Sequence, residues 1–165
     1  MNQEQPTITY VDIESLSEWQ GNPRINEKAV PEVSASIKKF GFLQPIVVDQ
    51  FNTVYAGNTR LKAARALGYK TIPVVRVEHL SEKQLRAFAI ADNKTAELAD
   101  WDYKKLLAGT TMEEIREIPG FDTDDMNRLN SILLKMGNVE IPKEKEKGTS
   151  KISHTCPKCN HTWTA

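Results

Sequence analysis

Residues 54–68, V-Y-A-G-N-T-R-L-K-A-A-R-A-L-G, constrain this chain more than any other stretch. They read as the end of a strand, a tight turn at Gly57 and a helix closed by Gly68. Leu61, Ala64 and Leu67 mark one helix face, and the small Ala63 beside them permits close packing on a sheet. A glycine between strand and helix lets the backbone approach a ligand. The free N–H groups at the start of the helix favour phosphate. Asn58 and Thr59 can cap that helix or hydrogen-bond a ligand, and the Arg60 guanidinium matches phosphate oxygens. A plain strand–turn–helix corner with a solvated arginine explains the same residues, and locally both readings stand.

Residues 8–13 alternate as a short strand, and 15–20 read as a turn or brief helix. In Asn22-Pro23-Arg24 the proline forces an extended approach. Arg24, just before a helix, can face a shared anion site or simply the solvent. Val33, Ile37 and Phe40 fall at helical spacing over 31–40, with Gly41 as the C′ glycine. Ile46-Val47-Val48 reads as a strand covered on both faces. Gln44, in the loop before it, carries amide donors and an acceptor suited to a base edge, or faces water. Residues 72–77 form another β-branched segment, whose Pro73 argues for an edge position or a strand start. Ser81-Glu82-Lys83-Gln84 is a capping-box pattern, with Leu80 and Leu85 as a hydrophobic staple. Asp92-Asn93-Lys94 reads as the end of that helix. Asp92 and Asn93 can hold Mg²⁺, or Asn93 merely terminates the helix.

Beyond residue 100 the pattern changes to short helices: Asp100 can cap the first and Thr111 with Glu114 forms a second capping box. After the break at Pro119-Gly120, Asp122 and Asp125 open a longer helix with Met126, Leu129, Ile132, Leu133 and Met136 on one stripe. Residues 138–152 are charged, lack a core pattern and read as a linker. In the tail, Cys156 and Cys159 have the C-x₂-C spacing of a zinc knuckle, with His154 and His161 as the further candidate ligands. A tail with two reduced thiols is the other reading.

Lys plus Arg and Asp plus Glu both number 22, so global charge favours no class of partner. The distribution is uneven: residues 60–94 carry eight basic against three acidic side chains, and 95–125 three against nine. A basic half permits an anionic ligand, and an acidic half permits self-association or partner docking. No apolar run approaches transmembrane length, the polar start is no signal peptide, and two neighbouring cysteines imply no disulfide framework. A cytoplasmic protein with no membrane partner is expected.

Taken together, residues 8–101 resemble the ParB/sulfiredoxin-like N-terminal domain. The matching segments, in order, are N-P-R (22–24), S-I-K-K-F-G-F-L-Q-P-I-V-V (36–48), A-G-N-T-R-L-K-A-A (56–64), I-P-V-V (72–75) and A-D-N-K (91–94). The continuation to Asp102 is similar to ParB-like domains found with phage and mobile-element DNA methyltransferases. The fold implied is α/β (α+β): a small mixed sheet with packed helices over 8–98, then a helical extension (99–137), the linker (138–152) and the candidate knuckle (153–165).

The resemblance implies a nucleoside triphosphate ligand, CTP or ATP, with Mg²⁺. By position Gly57, Thr59 and Arg60 would meet phosphate, with Arg24 and Asn58 as further nucleotide-binding candidates; Gly41 and Gln44 would lie by the base, and Asp92 and Asn93 near the metal. DNA, a second copy of the chain and a methyltransferase or another phage or host protein are the partners it implies. Asn58 stands where ParB has glutamate and Thr59 where it has a second arginine. A neutral amide is a weak Mg²⁺ ligand and a poor base, so binding is expected over turnover, and the cysteine that sulfiredoxin chemistry needs is absent. Two other classes follow from the residues: an NTPase or metal-dependent nuclease using Asp92 and Asn93, with Asp92 and Asn58 as the candidate catalytic side chains, and a nucleotide-free adaptor docking through its tail and acidic helices.

Overall fold

A computed structural model describes residues 7–137 and the backbone of two short tail strands. The chain divides into two units, Met1–Ile132 and Leu133–Ala165. In the first, a five-stranded mixed sheet has the order β1-β5-β3-β4-β2. Its strands are β1 (Ile8–Asp12), β2 (Ser17–Glu18), β3 (Ile46–Val48), β4 (Thr53–Ala56) and β5 (Thr71–Arg76). β1–β5 and β3–β4 pair antiparallel, and β3–β5 and β2–β4 pair parallel.

Alternation along the strands divides the interior. Ile46, Val48, Val54, Ile72 and Val74 share one core cluster with Leu61 and Ala64 of helix α2 (Asn58–Ala66). Tyr55, one residue on from Val54, joins Leu85 and Ala89 of helix α3 (Glu82–Ala96) in a second cluster. Successive strand residues point to opposite faces, so α2 and α3 cover opposite sides of the sheet. Burying each of these large aliphatic side chains contributes on the order of 1.5–3 kcal/mol. Helix α1 (Val30–Phe40) ends at Gly41, whose φ of 86° closes it.

Several sequence expectations need correction. Within residues 15–20, Ser15 ends a short 3-10 helix (Ile13–Ser15), Ser17–Glu18 is strand β2, registered on Thr53 and Val54, and Gln20 begins a turn. Pro73 lies in an interior strand rather than at an edge. Ile13 N–H donates to the Lys70 carbonyl at 2.9 Å, so Tyr10 and Pro73, on the same antiparallel register, face each other without hydrogen bonds. The missing proline N–H therefore points toward β3, whose ladder starts only at Val74. The helix expected to end at Asp92–Lys94 runs on to Ala96, with Asn93 Nδ2 donating to the Ala89 carbonyl at 2.8 Å. The Ser81 capping box is present as expected.

Three helices follow: α4 (Tyr103–Gly109), α5 (Met112–Arg116) and α6 (Thr123–Met136). Asp102, not Asp100, caps α4, because its carboxylate reaches Lys105 N–H at 3.1 Å. The Thr111–Glu114 box caps α5, and Asp122 and Asp125 exchange side-chain-to-backbone bonds at the start of α6. Leu129 of the α6 stripe is fully buried, and Met126 and Ile132 are half-buried. Ile115 is fully buried, and Gly120 N–H donates to Glu32 of α1 at 2.9 Å.

In the second unit β6 (Ser153–Thr155) and β7 (Thr162–Thr164) pair antiparallel. His154 stands in β6, described by its backbone alone. The 138–152 linker, Cys156, Cys159 and His161 lie outside the described residues. Among the described residues no helix is long and apolar enough to cross a membrane.

Candidate nucleotide site

β4 turns into α2 within one residue. Gly57 has φ 101° and ψ 22°, a left-handed conformation that side-chain-bearing residues adopt only at a cost. A Cβ there would stand 3.1 Å from both Arg60 Nη2 and Ile46 Cγ1. Glycine therefore serves the turn and leaves room for the arginine.

Gly57 itself is the N-cap, and no side chain caps α2. The first helical bond joins Leu61 N–H to the Gly57 carbonyl at 2.9 Å, leaving the N–H groups of Asn58, Thr59 and Arg60 without intrahelical partners. The expectation that Asn58 or Thr59 caps the helix is thereby corrected. Asn58 lies inside the first turn and is buried, and its Nδ2 donates to the Val54 carbonyl at 3.3 Å. Among the described residues its Oδ1 is the one buried side-chain polar atom lacking a hydrogen-bond partner.

These groups open onto a cavity of about 650 Å³ at the C-terminal end of β4. All nine site residues expected in the folded domain line it: Arg24, Gly41, Gln44, Gly57, Asn58, Thr59, Arg60, Asp92 and Asn93. They come from four places: the corner, the end of α1 and its following loop, residues 22–29 before α1, and α3. Arg60 Nη1 donates to both the backbone carbonyl and the Oε1 of Gln44, each at 3.1 Å. Burial lowers the Arg60 pKa from its ordinary value, and the Asp92 carboxylate partly opposes that shift. Arg24 Nη1 donates to Asn93 Oδ1. Among the described residues, Asp92 is the only carboxylate lining the cavity, and no three potential metal ligands cluster.

Sequence reasoning missed Asn26. It is 6% exposed, lines the cavity and accepts from Lys62 Nζ at 3.0 Å. Its partner lies thirty-six residues away, so no local pattern signals it. It also missed the apolar rim, where Ile25, Phe40 and Leu43 line the cavity yet stay exposed.

Comparison with known proteins bears on the family and the fold. The chain is 35% identical over 92 residues to a probable chromosome-partitioning protein ParB of Campylobacter jejuni, covering 54% of this chain but only 33% of that protein. It is 31% identical over 78 residues to the ParB-like nuclease domain-containing protein YnaK of Escherichia coli, covering 47% of this chain and 90% of YnaK. The chain thus spans about a third of the full-length ParB protein it matches. Its fold is similar, at a TM-score of 0.61 and 26% identity, to C-terminally truncated Caulobacter crescentus ParB complexed with CTP-γ-S, over 78% of this chain and 79% of that one. Residues 1–94 match the ParB N-terminal domain, and the chain belongs to that family.

Proposed function

We propose that the cavity binds a nucleoside triphosphate, CTP foremost and ATP as the alternative, in a module that works on DNA. The observation that carries this reading is the meeting of three unpartnered α2 N–H groups with Arg60 and Arg24 in one cavity of about 650 Å³. Backbone donors at a helix start and guanidinium forks both suit phosphate oxygens, and the volume falls in the usual range for small-ligand sites. The exposed apolar rim at Phe40 and Leu43 offers surface to a base. The likeness to the CTP-γ-S complex of Caulobacter ParB supports the same reading. With Asp92 the sole carboxylate, Mg²⁺ would arrive with the triphosphate rather than occupy a protein site of its own. Binding rather than hydrolysis fits a corner whose buried side chain, Asn58, is neutral.

Titration of the purified protein with CTP, ATP and GTP plus Mg²⁺ tests the reading. Binding tighter than millimolar is expected, weakened at least about tenfold in Arg60→Ala through loss of charge-assisted hydrogen bonds. No binding, or equal binding by the variant, removes it. The same titration with duplex DNA, followed by sedimentation, tests the DNA partner and a nucleotide-linked homodimer. A separate DNA methyltransferase or another phage or host protein is a further proposed partner, and pull-down with tail-deleted protein tests it. Phosphate release abolished by Asp92→Ala would instead favour an NTPase. For the candidate zinc set His154, Cys156, Cys159 and His161, elemental analysis is the check.

A further inference from the structure

Residues 22–29 form a strap along one side of the cavity, and it has almost no apolar anchor. Ile25 is 90% exposed, and Pro23, Arg24, Glu27, Lys28 and Ala29 are exposed as well. Inside the strap, Arg24 N–H donates to Asn22 Oδ1 at 3.1 Å and Ala29 N–H to the Asn26 carbonyl at 3.0 Å. Backbone bonds join the strap to the chain on either side, Asn22 N–H to the Trp19 carbonyl at 3.1 Å and Val30 N–H to the Glu27 carbonyl. Among the described residues, side-chain hydrogen bonds tie it to elements distant in sequence at two points. Arg24 reaches Asn93 on α3, and Lys62 Nζ on α2 reaches Asn26 Oδ1 at 3.0 Å and Glu27 Oε1 at 2.9 Å. Lys62 does not line the cavity. It is held in turn by Glu18 of β2 at 3.5 Å, which also pairs with Arg65 at 3.6 Å.

The two ties cannot serve a ligand equally. A guanidinium that turns from Asn93 to an anion gives up the α3 tie, and Lys62 then supplies the strap's remaining side-chain tie to a distant element. We infer that Lys62 is a positioning residue: through Asn26 and Glu27 it fixes the strap so that Arg24 can leave Asn93 without losing its place at the cavity. This inference rests on the nucleotide reading for its effect on affinity, but not for its effect on the strap itself.

Two readouts on the full chain separate the cases. In Lys62→Met, which keeps the stem and removes the ammonium, CTP·Mg²⁺ binding is expected to weaken about tenfold, as for loss of one charged hydrogen-bonding group. Lys62→Arg is expected to restore most of it. The double variant Arg24→Ala/Lys62→Met should bind no more weakly than Arg24→Ala alone, because Lys62 acts through Arg24. Without nucleotide, amide exchange over residues 24–28 should quicken in Lys62→Met while the β4 and α2 amides keep their protection. Glu27→Gln, on the solvent side of the same tie, is the second variant if Lys62→Met folds poorly, and should show the same pattern more weakly. Unchanged strap exchange overturns the inference, as do fully additive affinity losses. If the wild-type chain binds no nucleotide, the nucleotide reading fails, and the exchange measurement still decides the strap.

Discussion

The two sides of the cavity are built differently. At the β4–α2 corner, backbone geometry does the work. Gly57 sets the turn, Val54 and Leu61 on either side of it are fully buried, and the donors are main-chain N–H groups that cannot rotate away. Across the cavity, the strap and α3 present Arg24, Asp92 and Asn93 at exposed or half-exposed positions, with one side-chain hydrogen bond joining Arg24 to Asn93. One side is preorganised by the core, and the other is adjustable at the cost of a few polar contacts. A site assembled this way can hold phosphate rigidly and still let its outer side respond to what is bound.

The largest expected effect comes from breaking the rigid side at its root. Leu61→Ala leaves a cavity under α2 and is expected to cost about 2–5 kcal/mol, read as a lower urea midpoint, whereas Ile25→Ala on the strap should cost almost nothing. Equal losses at the two positions would erase the contrast. Gly57→Ala comes next: its left-handed φ and the crowding of Arg60 and Ile46 are expected to cost about 1–2 kcal/mol of stability. Its nucleotide affinity should fall too, because the added methyl displaces Arg60. A variant as stable and as tight-binding as the parent would show that the turn is not strained.

Arg24→Ala is expected to lower nucleotide affinity less than Arg60→Ala and to leave the melting temperature within about 1–2 °C of the parent, as for an exposed side chain. If Arg24 proves the more damaging loss, the adjustable side dominates binding. The smallest effect is a titration. Hydrogen bonding to Lys62 lowers the Glu27 pKa below its ordinary carboxylate value. A lowered folded-state pKa means the tie contributes above the unfolded carboxylate value and is lost as pH falls through the lowered one. By NMR the Glu27 carboxyl should titrate below the ordinary value in the parent and rise toward it in Lys62→Met, where only the backbone N–H groups of Asn26 and Glu27 still hold it down. An ordinary value in both would show the tie is not formed in solution.

What could be read in advance follows the same divide. Gly57, the Ser81 capping box and the aliphatic strands announce themselves through near-neighbour chemistry, and their local rules hold in the fold. Pro73 shows the limit: a proline argues for an edge wherever its missing N–H would break a ladder, yet here the neighbouring ladder begins one residue later. β2 is two residues long and exists only because β4 lies beside it. Asn93 looks like a helix stop but is carried through by a bond to Ala89 and by the packing of α3 on Tyr55.

The residue order alone determined the strand–glycine–helix corner, because an aliphatic strand end, a glycine turn and an aliphatic helix stripe are all set within one stretch of chain. It also carried the likeness to the ParB family, through segments spaced along more than half its length. Tertiary structure decided the rest. It buried Asn26 against Lys62, brought Arg24 to Asn93, sixty-nine residues away in sequence, and gathered all nine expected residues around one cavity. Those contacts depend on the sheet order β1-β5-β3-β4-β2, a pairing of distant strands that no local pattern encodes.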